Sequence, residues 1–166
     1  MSTVKVPLSA GYVAVVDAAD ASRVLQHKWS AKQGRGTVYA RRNVRRTDGT
    51  YASQSLHQFL TGYELTDHRN GDGLDNRRAN LREATPGENG QNCRKRPHNT
   101  SGFKGVTWHK HRRKWLAQIK PGGEKNHYLG YFPTAEEAAR AYDAAARELH
   151  GEYATVNFPL TGERAA

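Results

Sequence analysis

Residues 134–151, TAEEAARAYDAAARELHG, constrain the fold more than any other stretch of the chain. Thr134 followed three residues later by Glu137 is a capping box, which satisfies the first free N–H groups of a helix. Ala138, Ala141, Tyr142, Ala145 and Leu149 then recur at helical spacing until Gly151 supplies a stop. A stripe made largely of alanine has little bulk, so the helix can lie close on a flat partner. Three strand-like runs precede it, 103–108, 114–120 and 125–132, separated by the turn HKHRR and by Pro121-Gly122-Gly123. Turns this short join antiparallel neighbours. The expectation is a three-stranded antiparallel sheet with the helix on one face and the other face open.

Charge separates those two layers. Residues 101–133 carry Lys104, Lys110, Arg112, Arg113, Lys114, Lys120 and Lys125 against the single acid Glu124, whereas residues 134–150 carry Arg140 and Arg147 against Glu136, Glu137, Asp143 and Glu148. The whole chain has a formal net charge of +10. An excess of one sign gathers polyanions, and a cationic sheet backed by an acidic helix points its sheet at nucleic acid. An anionic membrane surface would want a basic amphipathic helix, and the basic residues lie mostly in strands and turns. No run approaches the roughly 18 to 20 apolar residues of a membrane span. The opening MSTVKVPLSAGYVAVVD has no basic stretch followed by an apolar core and cleavage site, so an unsecreted protein is expected. One cysteine, Cys93, excludes an internal disulfide and a cysteine-built zinc site.

Upstream, residues 11–17 and 28–31 and 37–46 read as strands, 18–26 as a helix, and Asp48-Gly49 as a hairpin turn. Residues 55–60 make one or two helical turns stopped by Gly62. Strands at 65–67 and 81–85 flank the stretch DHRNGDGLDNRRANLR, residues 67–82, and Pro86 opens a helix to about Cys93. That is a strand, loop, strand, helix unit. RKRPHNTSG, residues 94–102, reads as a basic linker. The fold class is therefore α+β, with domains at 1–93 and 102–160, a linker at 94–101 and a tail at 161–166.

The Asp/Asn/Gly content of 67–82 suits a solvated turn, with a metal-dependent site as the sharper alternative. A calcium loop fails, because the third position after Asp67 is Arg69 and after Asp72 is Leu74. Zinc fails for want of cysteines and clustered histidines. Asp67 and His68 can share a site only if the strand ends or bulges there, since neighbouring strand residues face opposite ways.

Two resemblances sharpen these readings. GFKGVTW, KWLAQI, YLGYFPTAEEAARAYDAAARELHG and ATVNFP, within residues 99–159, resemble the plant ethylene-response-factor type of DNA-binding domain, which lays a three-stranded sheet in the major groove. Strand alternation turns Trp115, Ala117 and Ile119 to the helix and Lys114, Leu116, Gln118 and Lys120 outward. Lys114, Gln118 and Lys120 are thus expected DNA contacts. The resemblance adds Lys104 and His109, at positions of strand-one arginines, and Tyr128, where a sugar-contacting Trp often stands. Arg112 and Arg113 of the basic turn join the set. Thr107 replaces another of those arginines and the turn before Lys114 is a residue longer, so the plant target sequence does not transfer. Trp108 and Trp115 fit core packing better than base stacking.

TDHRNGDGLDNRRANLREATPGEN resembles the phage and homing-type HNH nucleases, and GYVAVVD, KWSA, YARR and LHQFLTG resemble the N-terminal part of the small phage proteins that carry it. The resemblance implies a ββα-metal module behind a small β-rich region, with His68 as general base and one divalent ion, Mg²⁺ or in its place Mn²⁺, on Asp67 and Asn89. It also implies that Asn80 braces the loop, with Asn92 as a weaker substitute for Asn89 and His57 as a site-lining residue. Arg77, Arg78 and Arg82 are expected on phosphates. The reading is a metal-dependent DNA endonuclease acting on duplex DNA, a monomer rather than a dimer, without zinc or a membrane, in the cytoplasm of a bacterial host. The alternative is a non-catalytic, sequence-specific DNA-binding regulator.

Overall fold

The computed structural model describes residues 2–34, 36–93, 95, 98–122 and 125–166. They form two compact units, Met1–Ala84 and Thr85–Ala166.

In the first unit β1 (Thr3–Pro7) and β2 (Val13–Asp17) pair antiparallel, Val6 opposite Ala14 and Val4 opposite Val16. The sequence pattern signals only the second of these strands. TVKVP is short and ends in proline, which a strand tolerates at its end. Helix α1 (Ala18–Leu25) follows directly and buries Val24. Strands β3 (Ser30–Gln33), β4 (Val38–Arg45) and β5 (Tyr51–Ser55) make an antiparallel sheet in that order, with Gly49 at φ +84° in the expected Asp48-Gly49 turn. Ser55 and Gln58 cap helix α2 (Leu56–Thr61), and Gly62 ends it at φ +75°. Strands β6 (Thr66–His68) and β7 (Leu81–Glu83) pair with Asp67 opposite Arg82. Val6, Ala14, Val16, Val24, Trp29, Ala40, Leu56, Leu60 and Leu81 form the core of this unit.

The second unit opens with α3 (Pro86–Gln91), proline in its first turn and Thr85 with Glu88 as its capping box. Its C-terminal end is held by later parts of the same unit. Lys104 Nζ donates to Gln91 O at 2.7 Å, and Arg164 Nη1 donates to Asn92 O at 2.7 Å. Of the expected strand, loop, strand, helix stretch, β6 and β7 fall in the first unit and α3 in the second. Of the proposed linker, Arg94, Arg96 and Pro97 lie outside the described residues.

Strands β8 (Val106–His109), β9 (Lys114–Ile119) and β10 (His127–Phe132) form an antiparallel sheet with β9 in the middle. The first strand begins three residues later than its sequence pattern suggested, because Gly105 turns the backbone at φ +76°. Helix α4 (Ala135–His150) runs from the predicted capping box to Gly151. It buries Ala138, Ala139, Tyr142, Asp143 and Ala146, while Leu149, expected on the apolar face, is exposed. Val106 and Ala117 meet Ala138 and Ala139, and Ile119 meets Tyr142 and Ala146. Finally β11 (Thr155–Val156) pairs in parallel with β12 (Arg164–Ala165), two short strands with no sequence signal of their own. Among the described residues no helix is long and apolar enough to cross a membrane.

Candidate nucleic-acid interface

The open face of the second-unit sheet is set by register. Thr107 and Tyr131 flank Leu116, His109 stands opposite Lys114, and Tyr128 opposite Gln118. Residues directly opposite share a face, so Thr107, His109, Lys114, Leu116, Gln118, Tyr128 and Tyr131 all point away from α4. The complementary set, Val106, Trp115 and Ala117, packs on the helix side. Trp108 belongs with Trp115, ring centroids 5.1 Å apart, and keeps one edge in solvent. A bulge at Leu129 in β10 turns that leucine into the core and leaves Tyr128 72% exposed.

The basic turn folds onto this face. Arg112 N–H donates to His109 Nδ1 at 3.2 Å, its guanidinium lies over the Tyr131 ring at 4.6 Å, and the His109 ring meets the Tyr131 edge at 5.1 Å. Nδ1 is therefore the acceptor in this turn. Arg113 adopts φ +49°, unusual for a residue with a side chain, and completes the turn. Arg112, Arg113, Lys114 and Lys120 are exposed. The described residues from 101 to 133 include no acid, so none of them neutralises the cations of this face.

Lys104 departs from expectation. Its ammonium turns inward to Gln91 O and lies 6.0 Å from the Tyr142 ring, and burial pulls its pKa down to about 8. It ties α3 to the sheet and does not join the open face. Its backbone continues the tie: Lys104 N–H donates to Asn157 Oδ1, and Asn157 N–H and Phe158 N–H donate to the buried Asp143 carboxylate on α4. Sequence reasoning missed this Asp143–Asn157 brace. Its signal was an acid set among the alanines of the helix.

In the first unit the structure gives the candidate nuclease residues other work. Arg82 Nε and Nη2 both donate to Asp67 Oδ2, at 2.9 and 2.7 Å, in a buried ion pair. Arg82, expected on phosphate, is thereby occupied. His68 is buried against Tyr39 and His57, ring centroids 5.8 and 5.0 Å away. Burial lowers its pKa, against a hydrogen bond with Asn76 and the nearby Asp67, Asp72 and Asp75 carboxylates. Burial drives His57 down to about 3, with help from His68 and Arg41. Asn80 Nδ2 donates to Asn70 Oδ1 and Asp75 O, while its Oδ1 accepts from Asn70 N, which ties the loop between β6 and β7. Arg77 pairs with Asp75 and Arg78 forks onto Asp20 of α1, so both arginines close the loop on its own unit. Asn89 sits on α3 in the other unit, and Asn92 caps that helix. No group of three or more His, Cys, Asp or Glu able to hold a metal occurs among the described residues.

The fold and its open cationic face define the second unit as a sheet-and-helix DNA-binding module of the AP2 type: the family model of the AP2 domain matches residues 101–152. The chain belongs to the family of Protein 3.8 of Escherichia phage T7, to which it is 39% identical over 93 residues, 56% of this chain and 74% of that protein. It is also similar to an ethylene-responsive transcription factor of Arabidopsis thaliana, 54% identical over 68 residues, 40% of this chain and 26% of the plant protein. A third relative, dehydration-responsive element-binding protein 2A of Arabidopsis thaliana, is 51% identical over 47 residues, 28% of this chain and 14% of its own length. The chain thus spans about a quarter or less of these plant relatives.

These matches overturn the endonuclease expectation. The AP2 match and the ethylene-responsive relatives lead to a DNA-binding domain and to proteins named as transcription factors, not to a nuclease. In the structure the Asp67 carboxylate is paired with Arg82. The role of His68 as general base goes with the endonuclease expectation.

Proposed function

We propose that the protein is a non-catalytic, sequence-specific regulator that binds double-stranded DNA through the open face of the β8–β9–β10 sheet. The observation that carries the reading is the cationic face described above, lying within the segment that matches the AP2 domain. Arg112, Arg113, Lys114 and Lys120 supply positive charge for phosphate oxygens, which position a protein on the duplex without specifying sequence. Gln118, near the end of the central strand, and His109 can read base edges, glutamine being suited to adenine in the major groove. Tyr128, exposed beside Gln118, offers a ring to a sugar. A flat three-stranded face suits the wide major groove of B-form DNA and not the narrow one of RNA.

Selection of bound sequences from a random duplex library, followed by fluorescence anisotropy on the winners, tests this with the full chain. A shared motif should emerge. Gln118→Ala should relax one or two of its positions by about 1–3 kcal/mol, while Lys114→Ala should weaken every duplex alike and lower the salt slope by about 1. Enrichment of no motif, equal competition by duplex RNA, or cutting of plasmid in Mg²⁺ would each overturn the reading.

A further inference from the structure

The sheet of the first unit presents a second face of one charge. Register places Arg41 opposite Ser30, Asn43 opposite Ser53, and Arg45 opposite Tyr51. These residues, with Lys32 of β3 and Lys28 just before it, are all exposed, whereas Ala31, Ala40, Val44 and Ala52 alternate with them on the buried side. Lys28, Ser30, Lys32, Arg41, Asn43 and Ser53 border one groove, whose lining also takes in Ala31 and Arg42. Among the described residues no acid stands on this face. Asp48, in the adjoining turn, accepts from Thr50 N and Oγ1.

Four other guanidinium groups of this unit are spent internally. Arg77, Arg78 and Arg82 pair with Asp75, Asp20 and Asp67, and Arg42, on the inward face, stacks over Phe59 at 4.7 Å and bonds Gln54. Lys28, Lys32, Arg41 and Arg45 make no ion pair among the described residues, and they repel one another across a face that folding alone gives no reason to charge. Arg41 and Arg45 stand about 14 Å apart along β4 at ~3.4 Å per residue. That is about four phosphates along one strand of a duplex, so both can reach the same strand. Tyr51, 69% exposed beside Arg45, adds a ring at the groove's end.

We propose that this face is a second nucleic-acid surface, one that grips the phosphate backbone of duplex DNA without reading bases. The inference rests on duplex DNA being the partner of the AP2-type sheet. Through this face the first unit contributes to binding, since added counterion release and a tethered second grip raise affinity for every duplex.

The test uses the full chain carrying Lys32→Gln, Arg41→Gln and Arg45→Gln together, with Lys114→Ala as a control, and anisotropy at several salt concentrations on the selected site and on a scrambled duplex. Affinity for both duplexes should fall by roughly eightfold per lost contact at 0.1 M salt, and the slope of log affinity against log salt should become shallower by about 2 to 3. The selected motif should stay the same. If the triple variant binds with unchanged affinity and slope while Lys114→Ala is weakened, this inference fails and the regulator reading stands. A changed motif would also overturn it, as would tighter binding of duplex RNA than of DNA. If the wild type binds no duplex, the regulator reading itself falls. Should the triple variant misfold by circular dichroism, Lys28→Gln with Lys32→Gln gives the same test with an expected slope change of about 2.

Discussion

Asp67 and Arg82, 8% and 6% exposed, have left water together, and each is tolerable only while the other is present. Arg82→Ala should therefore destabilise the protein by about 3–5 kcal/mol in urea unfolding, with Asp67→Asn in the same background recovering part of the loss. His57 gives the first unit a pH response. Its folded pKa of about 3 lies below the ordinary 6.5, so the unfolded chain binds a proton that the folded state refuses. Stability from this group is fully present above pH 6.5 and is lost as pH falls towards 3, by up to about 1.4 kcal/mol per pH unit. His57→Phe should flatten that part of a stability-against-pH curve, and an unchanged slope would show that other groups set it. At this scale the sequence was only partly readable. Asp67 beside His68 has the composition of a metal site, and the residue that claims the carboxylate lies fifteen positions away across a strand pair. The register that brings Arg82 opposite Asp67 carried the information. Residue type did not. Lys104 misled for a related reason: a lysine one residue before Gly105 looks exposed on any pattern, but the turn there aims it at the end of α3.

Elements were far more legible, because their signals are local. The Thr134–Glu137 box, the Asp48-Gly49 turn, the Gly62 stop and the proline start of α3 all act within a few residues, and each stands where the chain announced it. Strands β1, β11 and β12 were silent, since two to five residues cannot establish a period and their pairing partners are supplied by the rest of the unit. The contact between α4 and its sheet depends on a missing side chain. A Cβ at Gly105 would collide with the Tyr142 ring, and the residue holds φ +76°. Tyr142 has no open space to retreat into, being only 3% exposed. Gly105→Ala should cost about 2–5 kcal/mol from backbone strain and overpacking combined, measured by denaturant unfolding of the full chain. Thr134→Ala, which removes one capping bond, should cost only about 1 kcal/mol. Equal losses in the two variants would mean that the close approach at Gly105 is not a constraint.

For the whole molecule, charge was legible and assembly was not. The excess of +10 follows from counting, and it pointed to a polyanion before any element was placed. The contacts that hold the end of α3 within the second unit, Lys104 to Gln91 and Arg164 to Asn92, come from partners up to 72 positions away. Spacing within the sequence carries no trace of them. The same charge yields a measurable consequence. Arg112, Arg113, Lys114 and Lys120 on one sheet and Lys28, Lys32, Arg41 and Arg45 on the other are eight exposed cations outside every described ion pair. If most of them meet phosphates, raising salt from 50 to 200 mM should weaken duplex binding by about 10³–10⁵. Binding to the selected and scrambled duplexes should weaken in parallel, because base contacts release no counterions. A loss of only about 10² over that range would correspond to about four contacts, the number that the AP2-type sheet supplies alone, and would leave the β3–β4–β5 face out of the complex.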